Sequence, residues 1–307
     1  MINLNRLLEL QGMMFLLIII GIILKKKNVV TNEGKRVITD LLINVILPCN
    51  IINSFCVEFN KDILIGFLKI FVIAILIQLG CLLISKIIYN WTSEEKKSVL
   101  QYATLCSNAG FLGNPIAENV YGSQGLAYAS IYLIPQRIVM WTAGISCFTK
   151  ARGKSVVKTV LTHPCIIAVA VGLTIMIFQI PLPLFIQNTV KSLGGCTMAI
   201  SMILIGTILS EVNFFSVVNK MSIFYTVVRL VLIPFLVFIF CMIFHIDQLT
   251  TGVAVVLAGM PAGSTTAILA AQYEGDAIFA SKCVVLSTVL SIITVPIWCW
   301  MINAAMR

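Results

Sequence analysis

The sequence predicts an all-α polytopic membrane protein with ten transmembrane helices. Hydrophobic residues make up 59% of the 307 and charged residues only 11%, against about 25% charged in soluble domains. The mean hydropathy is +1.03, and the apolar residues gather into long runs divided by short polar breaks. The basic residues crowd into alternate breaks, as they do in proteins that cross a bilayer. So little charge cannot cover the surface of a soluble domain of this length. A soluble enzyme, a disordered chain and a collagen-like chain are excluded together.

A hydrocarbon core about 30 Å thick needs about 20 apolar residues per helix. The runs that meet this need are 7–24, 37–57, 62–88, 98–120, 124–147, 163–180, 184–209, 221–244, 251–273 and 278–303. The first is followed by Lys25-Lys26-Lys27 rather than by a small-residue cleavage site, so it reads as a span and not a leader. Lys25, Lys26, Lys27, Lys35 and Arg36 follow span 1; Lys96 and Lys97 follow span 3; Lys150, Arg152, Lys154 and Lys158 follow span 5. Lys61 stands alone after span 2, and no Lys or Arg follows spans 4, 6 and 8. Odd loops are therefore expected in the cytoplasm, with both termini outside a multi-pass cell-membrane protein. The net charge of +9 is explained by this asymmetry, and nucleic acid is not an expected partner. The ten cysteines form no CxxC pair, so neither a disulfide framework nor a metal site is expected.

Five spans are an odd number, so a second copy of a five-helix unit would enter the membrane in the opposite sense. That inverted repeat is common in secondary transporters. A shift from Asn108 to Pro261 lays Asn108-Ala109-Gly110 over Pro261-Ala262-Gly263 without a gap, and also matches Ala117 to Ala270 and Gly122 to Gly275. The expected division is residues 1–150 and residues 151–307, with the basic loop near the midpoint.

Span 4 carries Cys106-Ser107-Asn108-Ala109-Gly110-Phe111-Leu112-Gly113-Asn114-Pro115 in its middle. Asn and Gly are poor helix formers, and Pro removes a donor and clashes with the preceding turn. Span 9 repeats the pattern with Gly259-Met260-Pro261-Ala262-Gly263-Ser264-Thr265-Thr266. Backbone freed within hydrocarbon is tolerated only where protein or a water-filled cavity covers it. Two matched breaks at mid-depth thus mark a candidate binding site: Asn108, Ala109, Gly110, Asn114 and Pro115 from one, Pro261, Ala262, Gly263, Ser264 and Thr265 from the other. The amino end of a half-helix attracts an anion, and the carbonyl end of the other half can hold a cation. Weaker candidates are Leu47-Pro48-Cys49-Asn50 in span 2 and Gly194-Gly195 with Ser201 in span 7.

Asn108 to Pro115 followed by Tyr121-Gly122 resembles the fourth-helix pattern of the auxin efflux carrier family, which includes malate permease-like bacterial proteins. Leu47-Pro48 with Asn53-Ser54-Phe55 resembles its second helix, and Pro261-Ala262, Tyr273, Ser281 and Pro296 its last two. The likeness spans essentially the whole chain. It implies a five-plus-five fold in which helices 4 and 9 cross at their breaks, with helices 1, 2, 6 and 7 as a scaffold beside a moving unit. It also implies that Asn108 and Pro261 stand at the crossover. Plant members often carry Pro where this chain has Cys106, and an amide-bearing residue where it has Ala262-Gly263-Ser264, so the bacterial organic-anion branch is the nearer analogy.

A charge at mid-bilayer costs about 2.5–3.5 kcal/mol on insertion scales. Arg137, near the centre of span 5, is expected to contact an anion, because Arg grips a carboxylate through two parallel bonds; satisfaction by carbonyls of a broken helix is the alternative. Arg229 and Lys282 lie a turn or two inside the cytoplasmic end and are candidates for substrate passage, while Lys69, Lys86 and Lys191 are expected to snorkel. Glu118 falls near the outer end of span 4, no carboxylate lies at mid-depth, and His163 and His245 sit at span ends. No interior nucleophile–base pair is present, so an enzyme is not expected. The expected function is a secondary transporter moving a small organic anion by alternating access, with export favoured. No cofactor is expected; a coupling ion (proton or sodium) and a homodimer stay open. An anion-selective channel and a ligand-binding membrane sensor are the alternatives.

Overall fold

The computed structural model describes residues 4–56, 61–144, 146–148, 162–210, 217–263, 265–273 and 275–306, and these are helical with no strand. The helices are α1 (Leu4–Lys26), α2 (Asn32–Leu41), α3 (Leu47–Ser54), α4 (Lys61–Ile88), α5 (Glu94–Leu105), α6 (Asn114–Val139) and α7 (Pro164–Phe178). They continue as α8 (Leu184–Gly195), α9 (Thr197–Leu209), α10 (Lys220–Val227), α11 (Ile233–Ile243), α12 (Gln248–Ala258), α13 (Thr265–Gln272) and α14 (Ala277–Ala305).

Among the described residues five continuous stretches are long and apolar enough to cross a membrane: Asn32–Ser54, Lys61–Ile88, Leu184–Leu209, Lys220–Ile243 and Ala277–Ala305. Helices α7 and α12 are apolar but shorter. The protein is therefore a polytopic membrane protein. Along α4, Leu64, Leu68, Val72, Leu76, Leu79, Leu83 and Ile87 are exposed, an apolar stripe that only lipid or another apolar surface would cover. Polar caps fix several helix starts: Asn219 for α10, Asp247 for α12 and Asp276 for α14 each accept from a backbone N–H of the first turn.

Proline decides how three of these spans bend. The π-helical turns Leu42–Ile46, Ala109–Gly113 and Val228–Leu232 each end two residues before a proline, at Pro48, Pro115 and Pro234. A proline ring clashes with the carbonyl four residues back, and a wider turn moves that carbonyl aside. The carbonyl displaced by Pro234 belongs to Leu230, and the Trp298 indole N–H donates to it at 2.9 Å. Pro115 therefore does not break span 4, as the sequence suggests; it opens α6, where its missing donor costs little. The break lies upstream.

Elsewhere glycine sets the packing. Gly122 takes φ 71° and ψ −164°, so α6 is two helices joined at a corner, a backbone region that side chains disfavour. Helices α1 and α9 pack along their lengths. A Cβ on Gly21 would strike the Ile203 carbonyl, and one on Gly206 the Ile18 carbonyl, so these two backbones touch because both side chains are missing. All ten cysteines are free.

Candidate functional site

Helix α5 ends at Leu105 because Cys106 turns extended, with φ −115° and ψ 90°. Helical geometry resumes at Ala109. Helix α12 ends at Ala258, and α13 starts at Thr265. The two gaps meet. The Asn108 N–H donates to the Pro261 carbonyl at 2.8 Å, and the Gly263 N–H to the Cys106 carbonyl at 2.9 Å. Ser107 and Ala262 form an isolated antiparallel bridge between them. Backbone groups that could not survive in lipid thus satisfy one another. Pro261, which has no N–H, is used only as an acceptor. A Cβ on Gly263 would stand 3.0 Å from the Cys106 carbonyl, so the approach needs a residue without a side chain.

Neighbouring helices latch the crossing. Gln136 Nε2 donates to the Ser107 carbonyl at 2.8 Å and Gln136 Oε1 accepts from Ser107 Oγ at 3.2 Å. The Ala262 N–H donates to Ser287 Oγ on α14 at 3.1 Å. Tyr102 OH donates to Thr265 Oγ1 at 3.2 Å, tying α5 to α13.

Arg229 stands between the two broken helices. Its Nε donates to the Met260 carbonyl at 2.8 Å and its Nη1 to the Thr104 carbonyl at 2.9 Å. These carbonyls close the carboxyl ends of α12 and α5, where the helix dipoles leave partial negative charge. The residue is 3% exposed, so this candidate for substrate passage is held here as a strut of the crossing. Carbonyls left free by the two breaks need a donor, and the guanidinium supplies several in a rigid fork.

The amino end at Ala109 has no side-chain cap, while at α13 the Thr266 N–H donates to the Gly263 carbonyl at 3.0 Å. The first internal bond of the re-entering helix runs from the Leu112 N–H to the Asn108 carbonyl, so the N–H groups of Ala109, Gly110 and Phe111 precede it. Thr266 Oγ1, in the first turn of α13, is buried with no partner. Arg137 projects to this side: a Cβ on Gly110 would lie 3.8 Å from its Nη2. Its Nη1 also stands 2.9 Å from His163 Nε2. Ile51, Ser130, Leu133, Cys165 and Val169 line a small cleft with Arg137.

Of the residues expected at the site, Asn108, Pro261, Ala262 and Gly263 come together at the crossing, Thr265 stands one bond away, and Gly110 lies beside Arg137. Ala109 is fully buried in the π-helical turn. Asn114 and Pro115 fall beyond it at the start of α6, and Ser264 lies outside the described residues. Arg137 is in the last α-helical turn of α6, and a π-helical turn, Met140–Gly144, carries the helix on beyond it. Gln136, Tyr102, Ser287 and the strut role of Arg229 were not legible. Only Gln136 and Arg229 offered a signal, as polar side chains within apolar runs.

Crossed, interrupted helices in an apolar helical bundle are an arrangement common among secondary transporters. The chain matches the membrane transport protein family over residues 12–159 and again over 148–299, and it belongs to that family, the auxin efflux carrier family whose motifs it resembles. It is 24% identical to an uncharacterized transporter of Methanocaldococcus jannaschii, over 94% of this chain and 96% of that protein. It is 26% identical to an uncharacterized transporter of Methanothermobacter thermautotrophicus, over 92% of this chain and 94% of that protein.

Proposed function

We propose that this membrane transporter moves a small organic anion, a carboxylate, by alternating access around the crossing of residues 106–108 with 260–263. One observation carries the reading: the two poles of the crossing are treated unequally. Arg229 occupies both carboxyl ends, while the amino end beginning at Ala109 has no side-chain cap and has Arg137 beside it at Gly110. Amino ends and a guanidinium together favour a carboxylate. Asn108, Gly110, Arg137, Gly263 and Thr265 are the residues proposed to contact it.

The direct bond between Asn108 and Pro261, which correspond in the ungapped shift of the sequence, supports ten spans arranged as two inverted repeats, residues 1–150 and 151–307. The loop charges support termini outside the cell membrane. Moving one charge across 100 mV is worth about 2.3 kcal/mol, so a monoanion carried alone leaves a negative interior, and export is the proposed direction.

Purified protein in liposomes should show saturable uptake and counterflow for one member of a panel of dicarboxylates and aromatic acids. Asn108→Ala and Arg137→Ala should each lower that uptake. Non-saturating flux would favour a channel, binding without flux a sensor, and unchanged uptake in both variants would overturn the site.

A further inference from the structure

The crossing leaves unused a second set of polar side chains, where α3, α6 and α9 meet. Asn50, 1% exposed, donates through Nδ2 to Glu118 Oε2 at 3.0 Å. Asn114, one turn before Glu118 on α6, is 1% exposed, and neither its Oδ1 nor its Nδ2 has a partner. On α9, Thr197 and Ser201 are 1% and 0% exposed, and neither hydroxyl has a partner. Residues four apart share a helix face, so each helix offers a matched pair.

The three elements are in register with one another. Helix α3 packs against α6 and α8, and α9 packs against the π-helical turn that leads into Asn114. Asn119 Nδ2 reaches Met198 Sδ at 3.6 Å, which brings the Asn114–Glu118 stretch against the first turn of α9. A Cβ on Gly194, one turn before Thr197, would stand 3.1 Å from Asn50 Oδ1. Buried polar atoms without partners are costly and rare. Here three such side chains stand on neighbouring elements close to one carboxylate.

We propose that Glu118, Asn114, Thr197 and Ser201 form a binding site for a monovalent cation of the sodium class, with Asn50 positioning the carboxylate. The donors are all oxygens, with neither His nor Cys, which suits a hard cation and not a transition metal. A single carboxylate balances one positive charge, whereas a divalent ion would leave an excess in a medium that screens poorly. The Glu118 charge disfavours an anion in the same place. Asn114 Nδ2 is left to donate to a water of the ion's shell. Ion binding itself does not depend on the proposed substrate; the coupling role rests on the transporter reading. Sodium carried with a monoanion moves no net charge, so the sodium gradient would replace the membrane potential in setting direction.

The test uses the full-length protein in detergent, with radioactive sodium binding and thermal unfolding measured in sodium chloride and in N-methylglucamine chloride at equal ionic strength. Expected are saturable sodium binding and a higher unfolding midpoint in sodium alone. Glu118→Gln should abolish both, and Thr197→Val with Ser201→Ala should weaken binding roughly tenfold or more while the midpoint in N-methylglucamine stays unchanged. The second variant decides the matter if Glu118→Gln does not fold. Equal midpoints in the two salts, no saturable binding, or undiminished binding in the folded variants would overturn the site. Sodium binding without carboxylate transport would sink the substrate reading alone; carboxylate transport without sodium binding would sink this one alone.

Discussion

Two close helix contacts in this protein are made in opposite ways. Helices α1 and α9 stay unbroken and come together because Gly21 and Gly206 present bare backbone. At the crossing of residues 106–108 with 260–263, two helices stop, exchange main-chain hydrogen bonds and start again. The first contact leaves every helical hydrogen bond in place and creates no charge. The second creates four helix ends within an apolar bundle: Arg229 caps the two carboxyl ends, and the amino end at Ala109 lies without a side-chain cap beside Arg137. Intact packing makes a support; interrupted packing makes a place where a charged ligand can be held.

The sharpest way to break this contrast is to fill the support. Gly206→Leu drives a side chain into the Ile18 carbonyl. Overpacking costs about 1–3 kcal/mol and more where backbone must move, so separation of α1 from α9 and loss of a monodisperse peak on size-exclusion chromatography are expected. Arg229→Met should rank second. It strands the Thr104 and Met260 carbonyls, at about 1–3 kcal/mol each, and should lower the thermal unfolding midpoint by many degrees and abolish transport. Were Arg229→Met as stable as the parent, Arg229 could not be the strut of the crossing.

Arg137→Gln addresses the open pole. The side chain is only half-buried, so stability should hold while the apparent affinity for the transported carboxylate falls roughly tenfold to a hundredfold, the loss of a charged hydrogen bond. Concentration dependence of counterflow measures it. Smallest of all is Tyr102→Phe, which removes one bond to Thr265 and should cost about 0.5–1.5 kcal/mol, read as a slight fall in midpoint with transport retained. A large effect there would mean that the tie between α5 and α13 matters more than the backbone crossing itself.

The breaks were legible because their cause is local: Asn, Gly and Pro disfavour helix wherever they stand. The sequence placed Pro115 within the break, yet it only opens α6 after a π-helical turn, since a wider turn upstream relieves the ring clash. The strut role of Arg229 was not legible because its partners, Thr104 and Met260, lie far away along the chain. Asn114, Thr197 and Ser201 gave little sign of belonging together, because nothing in the order of residues tells which helices will be neighbours.

The apolar runs and the positions of Asn, Gly and Pro determined by themselves that this chain lies in a membrane and where the two crossing helices are interrupted, because lipid rejects unpaired backbone whatever the tertiary arrangement. Only the folded molecule decided that the carboxyl ends of both broken helices would be neutralised by one side chain. That depends on a guanidinium delivered from a third helix, and charge acts across space, not along sequence.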